Sequence, residues 1–379
     1  MSEEKKVEIN SLPAYTWYWL GINTGEDAVP EKADALRAEA KVPAGFEAGE
    51  EDYRGAETLK KDFPARVGHN ADFKDSSAKE DPESGSGREV DRAIAKAGVK
   101  TSVYTVRKAR EPKEPLRLKF AYQDGDTKVN SVRLDLEDAA RALVVMDYSS
   151  EREAAGKAVV QTKIRVGRDA LLRLVQVTRV GDSFDFINDA GVYVEEGGRL
   201  ELIHLHLAGN HVYQGFRTDL AGDRSSFQSD IAYSAKDDDL LDMNYIINHI
   251  GRKTECQIQA SGVLRDRANK IFRGTIDLRQ GATGAVGDEK EDVLLMDDTV
   301  RNRTLPVILC TEEDVVGNHG ATIGRLDEAL TFYLESRGMN RDQIYEMMAD
   351  ARINAVASRI PDEETRQEVL GFMGLDREE

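Results

Sequence analysis

The stretch RLELIHLHLAGNHVYQGFRTDL, residues 199–220, contains two short β-type segments separated by a turn. Leu200 and Leu202 share one parity and Leu205 and Leu207 share the other, which is the two-residue period of a strand. Similar segments recur between residues 113 and 300, with Gly, Asp or Asn between them. They span residues 116–122, 159–166, 171–180, 199–207, 212–220, 240–250, 254–264 and 271–278. This pattern predicts a mainly β region and leaves a sandwich, a barrel and a stacked solenoid open.

A helical pattern follows the β region. Residues 327–338 form an amphipathic segment that ends at Gly338. Asn340 and Gln343 match the capping box of a second helix, and Pro361 opens a third. The C-terminus is therefore predicted to be a compact helical cap.

The N-terminal part is predicted from composition. Residues 30–41 and 56–63 are rich in helix formers, and residues 136–144 carry an isolated helical signal. Residues 72–92 are charged and small, as is typical of a linker. We therefore divide the chain into an N-terminal helical region (1–75), a charged linker (76–112), a β core (113–325) and a C-terminal helical domain (326–379).

Composition limits the possible partners. The chain has 379 residues, and its 52 Lys and Arg against 70 Asp and Glu give a formal net charge of −18. A surface of that charge repels phosphate backbones and anionic lipids, so we expect no nucleic-acid and no membrane partner. No apolar run approaches the roughly 18 residues of a membrane span, and no secretory signal follows Met1. Cys256 and Cys310 lie in apolar segments and are predicted to be buried, inert thiols of a cytoplasmic protein.

The common catalytic signatures are missing from the sequence. Residues 154–158, AAGKA, contain a Gly-Lys pair but lack the upstream glycine and the hydroxyl residue of a phosphate loop. No dinucleotide fingerprint, C-x-x-C, H-E-x-x-H or G-x-S-x-G motif occurs. This chain is therefore not itself an ATPase of the phosphate-loop kind.

Histidines supply the candidate site residues. His204 and His206 alternate on one strand, about 7 Å apart, and His211 follows. This spacing matches the first half of the cupin metal motif, but the glutamate that the motif needs is replaced by Asn210 or His211. One interpretation is a cupin-like metal-dependent enzyme using His204, His206 and His211, and the other is two polar side chains on the wet face of a strand. His319, in a predicted glycine-flanked loop before the C-terminal helices, is the second candidate.

Residues 318–339, NHGATIGRLDEALTFYLESRGM, resemble the signature of the SufB/SufD family of iron-sulfur cluster assembly proteins. The upstream segments FRGTIDL (272–278) and DVLLMDDTVRNRTLPVIL (292–309) resemble the strands that precede this signature in the family. Residues 16–20, TWYWL, resemble its N-terminal motif. The specific matches cover about residues 240–360, and the remainder agrees in layout.

Within the family, the chain resembles SufD. SufB carries Glu-His-Glu where this chain has Asn318, His319 and Gly320, and a helix cysteine where this chain has Ile353 or a neighbour. In SufD the matching histidine is implicated at the interface with SufB, so the resemblance assigns that position to His319. SufD proteins often have a cysteine two residues earlier, where this chain has Gly317, and any role of that thiol is lost here.

The resemblance implies a right-handed parallel β-helix core between N- and C-terminal helical regions. It also implies a non-catalytic scaffold subunit that pairs with a SufB-like subunit and docks a SufC-like ABC-type ATPase on its C-terminal helices. The expected docking residues are Tyr333, Arg337, Tyr345 and Met348. An imidazole is an acceptable iron ligand, but one imidazole cannot hold a cluster. We therefore expect a transient iron-sulfur cluster shared with the partner, no cofactor held tightly by the isolated chain, and a possible homodimer when the chain is alone.

Overall fold

The computed structural model describes residues 6–16, 20–30, 33–53 and 82–375. The strands formed by these residues are β1 Lys6–Ile9, β2 Gly25–Ala28, β3 Glu39–Lys41, β4 Phe46–Asp52, β5 Lys100–Val106, β6 Leu116–Tyr122, β7 Thr127–Leu136, β8 Arg141–Ser150, β9 Ala155–Val166, β10 Leu171–Arg179, β11 Ser183–Val194, β12 Arg199–Ala208, β13 His211–Leu220, β14 Ser226–Ala235, β15 Leu240–His249, β16 Glu255–Leu264, β17 Asn269–Leu278, β18 Val286–Leu295, β19 Arg301–Cys310 and β20 Val316–Gly324. The helices are α1 Arg88–Ala97, α2 Glu328–Ser336, α3 Arg341–Ala357 and α4 Glu363–Phe372.

The strands from β5 to β20 wind into a parallel β-solenoid of about eight turns. From β5 onward, the even-numbered strands form one sheet, in the order β20-β18-β16-β14-β12-β10-β8-β6, which β3 extends, and the odd-numbered strands form a second, in the order β19-β17-β15-β13-β11-β9-β7-β5, which β4 extends. We call them the even sheet and the odd sheet. Strands adjacent in a sheet belong to successive coils, so Leu171 of β10 aligns with Arg141 of β8 and with Arg199 of β12. The predicted parallel β-helix is confirmed.

The solenoid is held together by the apolar residues of its interior and of its outer faces. Leu200 and Leu202 of β12 point into the interior core. Leu205 points outward and packs under the C-terminal helices, together with Ile353 of α3. On the odd sheet, α1 packs Ile94 against an outward-facing apolar cluster. Because both faces of β12 are buried, apolar residues of both parities occur in residues 199–207.

The two ends of the solenoid differ. At the N-terminal end, β3 and β4 pair antiparallel with β6 and β5 and extend both sheets. At the other end, β20 and β19 are the last strands of the even and odd sheets among the described residues. All residues of β20 except the last are exposed. No described residue therefore covers the C-terminal end of the solenoid, which we call the open end.

The predicted N-terminal helical region (1–75) is wrong in its described part. Residues 33–41 contain no helix, and Leu36 and Ala38 pack against the solenoid core before β3 pairs with β6. The burial of these side chains and the strand pairing override the helix propensity of the sequence. The other predicted helix, residues 56–63, lies outside the described residues.

The predicted linker (76–112) is also wrong from residue 82 onward, because it contains α1 and β5. Its charges are used in contacts with the solenoid: Oδ1 of Asp91 lies 3.0 Å from Nζ of Lys163 in a buried pair, and Glu83 forms a partly buried pair with Arg217. Polar composition therefore did not indicate a solvated loop here. The helix predicted at 136–144 is also wrong: β7 ends at Leu136, and β8 begins at Arg141 after a turn. The boundary at 325/326 stays a prediction, with β20 ending at Gly324 and α2 beginning at Glu328.

Candidate functional site

His319 lies at the open end of the solenoid, on the edge strand β20. The prediction of a loop for this residue is wrong, because residues 316–324 pair in register with β18. His319 aligns with Glu289, and its neighbour Asn318 aligns with Asp288 and donates a 2.8 Å hydrogen bond to it. The register therefore fixes the backbone of His319, while its side chain remains exposed to any molecule that approaches this end.

Gly317 has little room for a side chain. A Cβ placed there would lie 3.2 Å from Cδ1 of Leu278 and 3.3 Å from Cδ1 of Ile308. A cysteine at this position would require these two residues to shift by a few tenths of an ångström. The close packing gives a physical reason for glycine at the position where the family often has a thiol.

Below His319, the interior of the solenoid contains a buried ionic cluster. The Nζ atom of Lys270 lies 2.5 Å from Oε1 of Glu291 and donates to Oγ1 of Thr304 at 3.0 Å. Tyr233 and Thr304 each donate a 2.6 Å hydrogen bond to the Glu291 carboxylate. Burial lowers the pKa of Lys270 to about 8, although Glu291 opposes this shift. The Glu291 carboxylate is therefore fully engaged inside the protein.

Glu289 is a second carboxyl group in this interior, and it is not engaged in the same way. Its side chain is buried, and its Oε2 atom has no hydrogen-bond partner within the described part of the chain. Burial, assisted by the nearby Glu291 charge, raises the pKa of Glu289 to about 8. Space for the carboxyl group exists because residue 274 is glycine: a Cβ there would lie 2.2 Å from Oε1 of Glu289.

Sequence analysis missed both carboxylates and Lys270. Strand β18 reads VGDEKEDVLL, in which charged residues fall on both parities. Glu289 and Glu291 alternate in step with Val293, which belongs to the interior core. Residues of one parity on a strand point to the same face, and this shared parity is the sequence feature that could have located the two glutamates. This parity places the two glutamates inside once the strand is known.

The three histidines of the cupin-like interpretation are not brought together. His204 and His206 are buried, so their predicted place on a wet face is wrong; the Nδ1 atom of His204 lies 2.9 Å from the hydroxyl of Tyr245. Burial lowers the pKa of both imidazoles to about 3. His211 is on the other sheet, exposed, with Nδ1 3.6 Å from Oδ1 of Asp185. Among the described residues, no group of three His, Cys, Asp or Glu side chains is placed to hold a metal ion.

The two cysteines differ. Cys256 is buried, as predicted, and burial raises the pKa of its thiol to about 12. Cys310 is exposed at the end of β19, where its thiol donates to the carbonyl oxygen of Glu312 at 3.1 Å. The prediction of a buried Cys310 is wrong because β19 is an edge strand, and no coil formed by the described residues covers it.

The four predicted docking residues divide into two pairs. Tyr333 and Arg337 lie on or beside α2 and are exposed, with the guanidinium carbon of Arg337 5.2 Å from the Tyr333 ring centre. Tyr345 and Met348 on α3 instead pack against the outer face of the even sheet. Phe332 on α2 is 72% exposed. The surface open to a partner is therefore α2 and not the α3 face predicted to take part.

The fold and this site define a class of protein: a parallel β-solenoid with C-terminal helices and one end that no described residue caps and that exposes a histidine. A family model described as SUF system FeS cluster assembly, SufBD core domain, matches residues 120–352. The chain belongs to the SufBD family. The resemblance inferred from the sequence is confirmed.

Relatives with curated names agree with this family. The SufD iron-sulfur cluster assembly protein of Bacillus subtilis is 22% identical over 265 residues, covering 68% of this chain and 60% of the relative. The SufD iron-sulfur cluster assembly protein of Escherichia coli is 26% identical over 277 residues, covering 71% of this chain and 65% of the relative. An iron-sulfur cluster assembly SufBD family protein of Mycobacterium bovis is 26% identical over 252 residues, covering 65% of this chain and 56% of the relative. The chain thus spans less than two thirds of the length of these relatives. None of the described helices is long and apolar enough to cross a membrane.

Proposed function

We propose that this chain is a SufD-like, non-catalytic scaffold subunit of a SUF iron-sulfur cluster assembly complex. It pairs with a SufB-like subunit through the open end of the solenoid, and His319 lies near the nascent cluster at that interface. The observation that carries the proposal is the position of His319 in a SufBD-family solenoid. It is exposed on β20, an edge strand that pairs with β18 on one side and has no partner strand on its other side among the described residues. Edge strands with free backbone groups pair readily with a second chain.

The cluster is the cargo of this complex and is transient. A single imidazole replaces one cysteine ligand in some clusters, but a cluster needs further protein ligands. Within the described residues, no metal-binding group of three side chains is present. The SufB-like partner would therefore supply the remaining ligands, which requires assembly at the interface.

The SufC-like ABC-type ATPase docks on α2 in this proposal. Leu330, Phe332 and Tyr333 are exposed on this short helix, and Arg337 follows at its end. An exposed apolar and aromatic surface of this kind is typical of protein interfaces, where Tyr, Phe and Arg are enriched. The ATPase would provide the phosphate loop that this sequence lacks.

The test is anaerobic co-expression with SufB- and SufC-like subunits from the same source. Light scattering gives the mass of the complex, and chemical assays give bound iron and sulfide. We expect one copy of this chain per complex and a loss of most of the bound iron on His319→Ala. The matched control is His211→Ala, which removes an exposed histidine from a strand remote from the open end.

Unchanged iron in the His319→Ala complex would overturn the role of His319. A complex that forms without this chain would overturn the scaffold function. A mass that corresponds to two copies of this chain without a SufB-like subunit would instead support a homodimer.

A further inference from the structure

We propose that Glu289 is a positioning residue for His319: its buried carboxyl accepts a hydrogen bond from the imidazole and orients the ring toward the cluster. This inference rests on the proposed function, because it concerns how His319 holds iron. It adds to the site a residue from the neighbouring strand, one coil deeper in the solenoid.

The strand register places the two residues together. Glu289 of β18 and His319 of β20 are aligned partners in a parallel pair. Aligned residues of neighbouring parallel strands point to the same side and are about 4.8 Å apart. Glu289 points into the interior, so the inward rotamer of His319 places its ring over the Glu289 carboxyl group. No covering coil obstructs this rotamer, because β20 is the last strand of the even sheet among the described residues.

The Glu289 carboxyl group has an unused acceptor. It is only 4% exposed, and its Oε2 atom has no hydrogen-bond partner in the part of the chain that the structure describes. Tyr233, Lys270 and Thr304 are all directed at Glu291 instead. A buried carboxyl without a partner is costly, so its presence calls for an explanation beyond packing. A donor that arrives from the open end supplies one.

Gly274 keeps the space for this carboxyl group. A Cβ on residue 274 would lie 2.2 Å from Oε1 and 2.5 Å from Oε2 of Glu289, so any side chain there would force the carboxyl group to move. Glycine in the interior of a strand weakens it and marks a close approach of another group. Here the group that approaches is the carboxyl of Glu289.

The chemistry follows from the two nitrogen atoms of imidazole. A histidine that binds a metal through one ring nitrogen commonly donates the other N–H to a carboxylate or carbonyl, which fixes the tautomer and orientation of the ring. Loss of such an outer partner typically lowers metal affinity by roughly 10- to 100-fold. An exposed histidine on an edge strand otherwise has several rotamers, so Glu289 would restrict it to the one that faces the interface.

The experiment uses the complete complex, loaded with iron and sulfide. The rate at which iron passes to the chelator EDTA is measured for Glu289→Met, which removes the acceptor, and for Glu289→Gln, which keeps an acceptor oxygen in a neutral side chain. We expect release roughly 10- to 100-fold faster for Glu289→Met and a smaller increase for Glu289→Gln. The matched control is Asp288→Asn, which changes the adjacent carboxylate that pairs with Asn318 and should leave the rate unchanged.

A double-mutant cycle separates positioning from general stability. In a His319→Ala background, Glu289→Met should have no further effect on iron release, because the residue acts through the imidazole. Equal effects in both backgrounds would overturn the proposal. The proposal would also be overturned if Glu289→Met left the rate of iron release unchanged while His319→Ala increased it. If Glu289→Met folds poorly, Gly274→Ala serves as a second variant. It displaces the carboxyl group without removing it and should accelerate iron release to a similar extent. A loaded complex that ignores His319→Ala would instead refute the proposed function.

Discussion

The two ends of the solenoid are built differently. The first coil is extended by antiparallel strands and filled with aromatic and aliphatic side chains such as Phe120 and Tyr148, whose ring centres are 5.3 Å apart. The last coils have no covering strand among the described residues and enclose Lys270, Glu289 and Glu291. Apolar burial stabilises the fold, whereas buried charges are retained where they serve specificity or chemistry. The described N-terminal end is therefore a covered apolar core, whereas the candidate site with its buried charges lies at the C-terminal end.

The largest effect should come from the N-terminal end. Phe120 is 1% exposed, and Phe120→Ala would leave a cavity in the closed core. We expect a loss of about 3–5 kcal/mol in the free energy of unfolding, measured by urea denaturation. Phe332→Ala is the control: that side chain is 72% exposed, and its removal should change stability by less than about 0.5 kcal/mol. Equal losses for the two variants would contradict the asymmetry between core and exposed surface.

A second test concerns the middle coils, where the interior becomes polar. His206 is buried and its pKa is lowered to about 3. In the unfolded chain the imidazole is protonated below about 6.5, while in the folded chain it stays neutral until about pH 3. Its contribution to stability is therefore complete above pH 6.5 and decreases as the pH falls. At pH 5 the loss should be about 2 kcal/mol relative to neutral pH.

The measurement is the free energy of unfolding of the wild-type chain and of His206→Gln between pH 7 and pH 5. The variant should lack the part of the pH dependence that belongs to this imidazole. His211→Gln, which makes the same substitution at an exposed histidine, is the control. Parallel curves for the wild type and His206→Gln would show that the middle interior admits water and does not behave as a closed core.

The same contrast explains what the sequence could predict. Periodicity located the strands of the closed coils and the C-terminal helices, including the capping box in which Asn340 accepts from the backbone of Gln343. These elements are determined by local pattern and by apolar burial. The choice among sandwich, barrel and solenoid needed the family resemblance, because the alternation within a strand does not encode which strand it pairs with.

The open end was predicted less well for a physical reason. Strand β20 contains Gly317, Asn318 and Gly320 and has no apolar alternation at its start, so it looks like a loop; β18 alone provides its pairing partner. Glu289 looks like a surface residue by type, and the parity that it shares with the core residue Val293 places it inside only once β18 is recognised as a strand of the solenoid. His319 is a candidate from its glycine-flanked sequence context, and the resemblance supplies its role, which stays a proposal.

The smallest change in stability should occur at the open end itself. Ile323 on β20 is 44% exposed, so Ile323→Ser removes only part of the surface that a fully buried isoleucine would bury and should lower the free energy of unfolding by about 1 kcal/mol. If this end is an interface, the same substitution should weaken association with the SufB-like subunit, measured by isothermal titration calorimetry with the separate chains. A stable variant with reduced binding would sharpen the contrast between the ends. A residue that serves only the interface contributes to the free energy of association and little to the free energy of unfolding. A variant that loses stability without losing binding would therefore show that Ile323 supports the fold and not the interface.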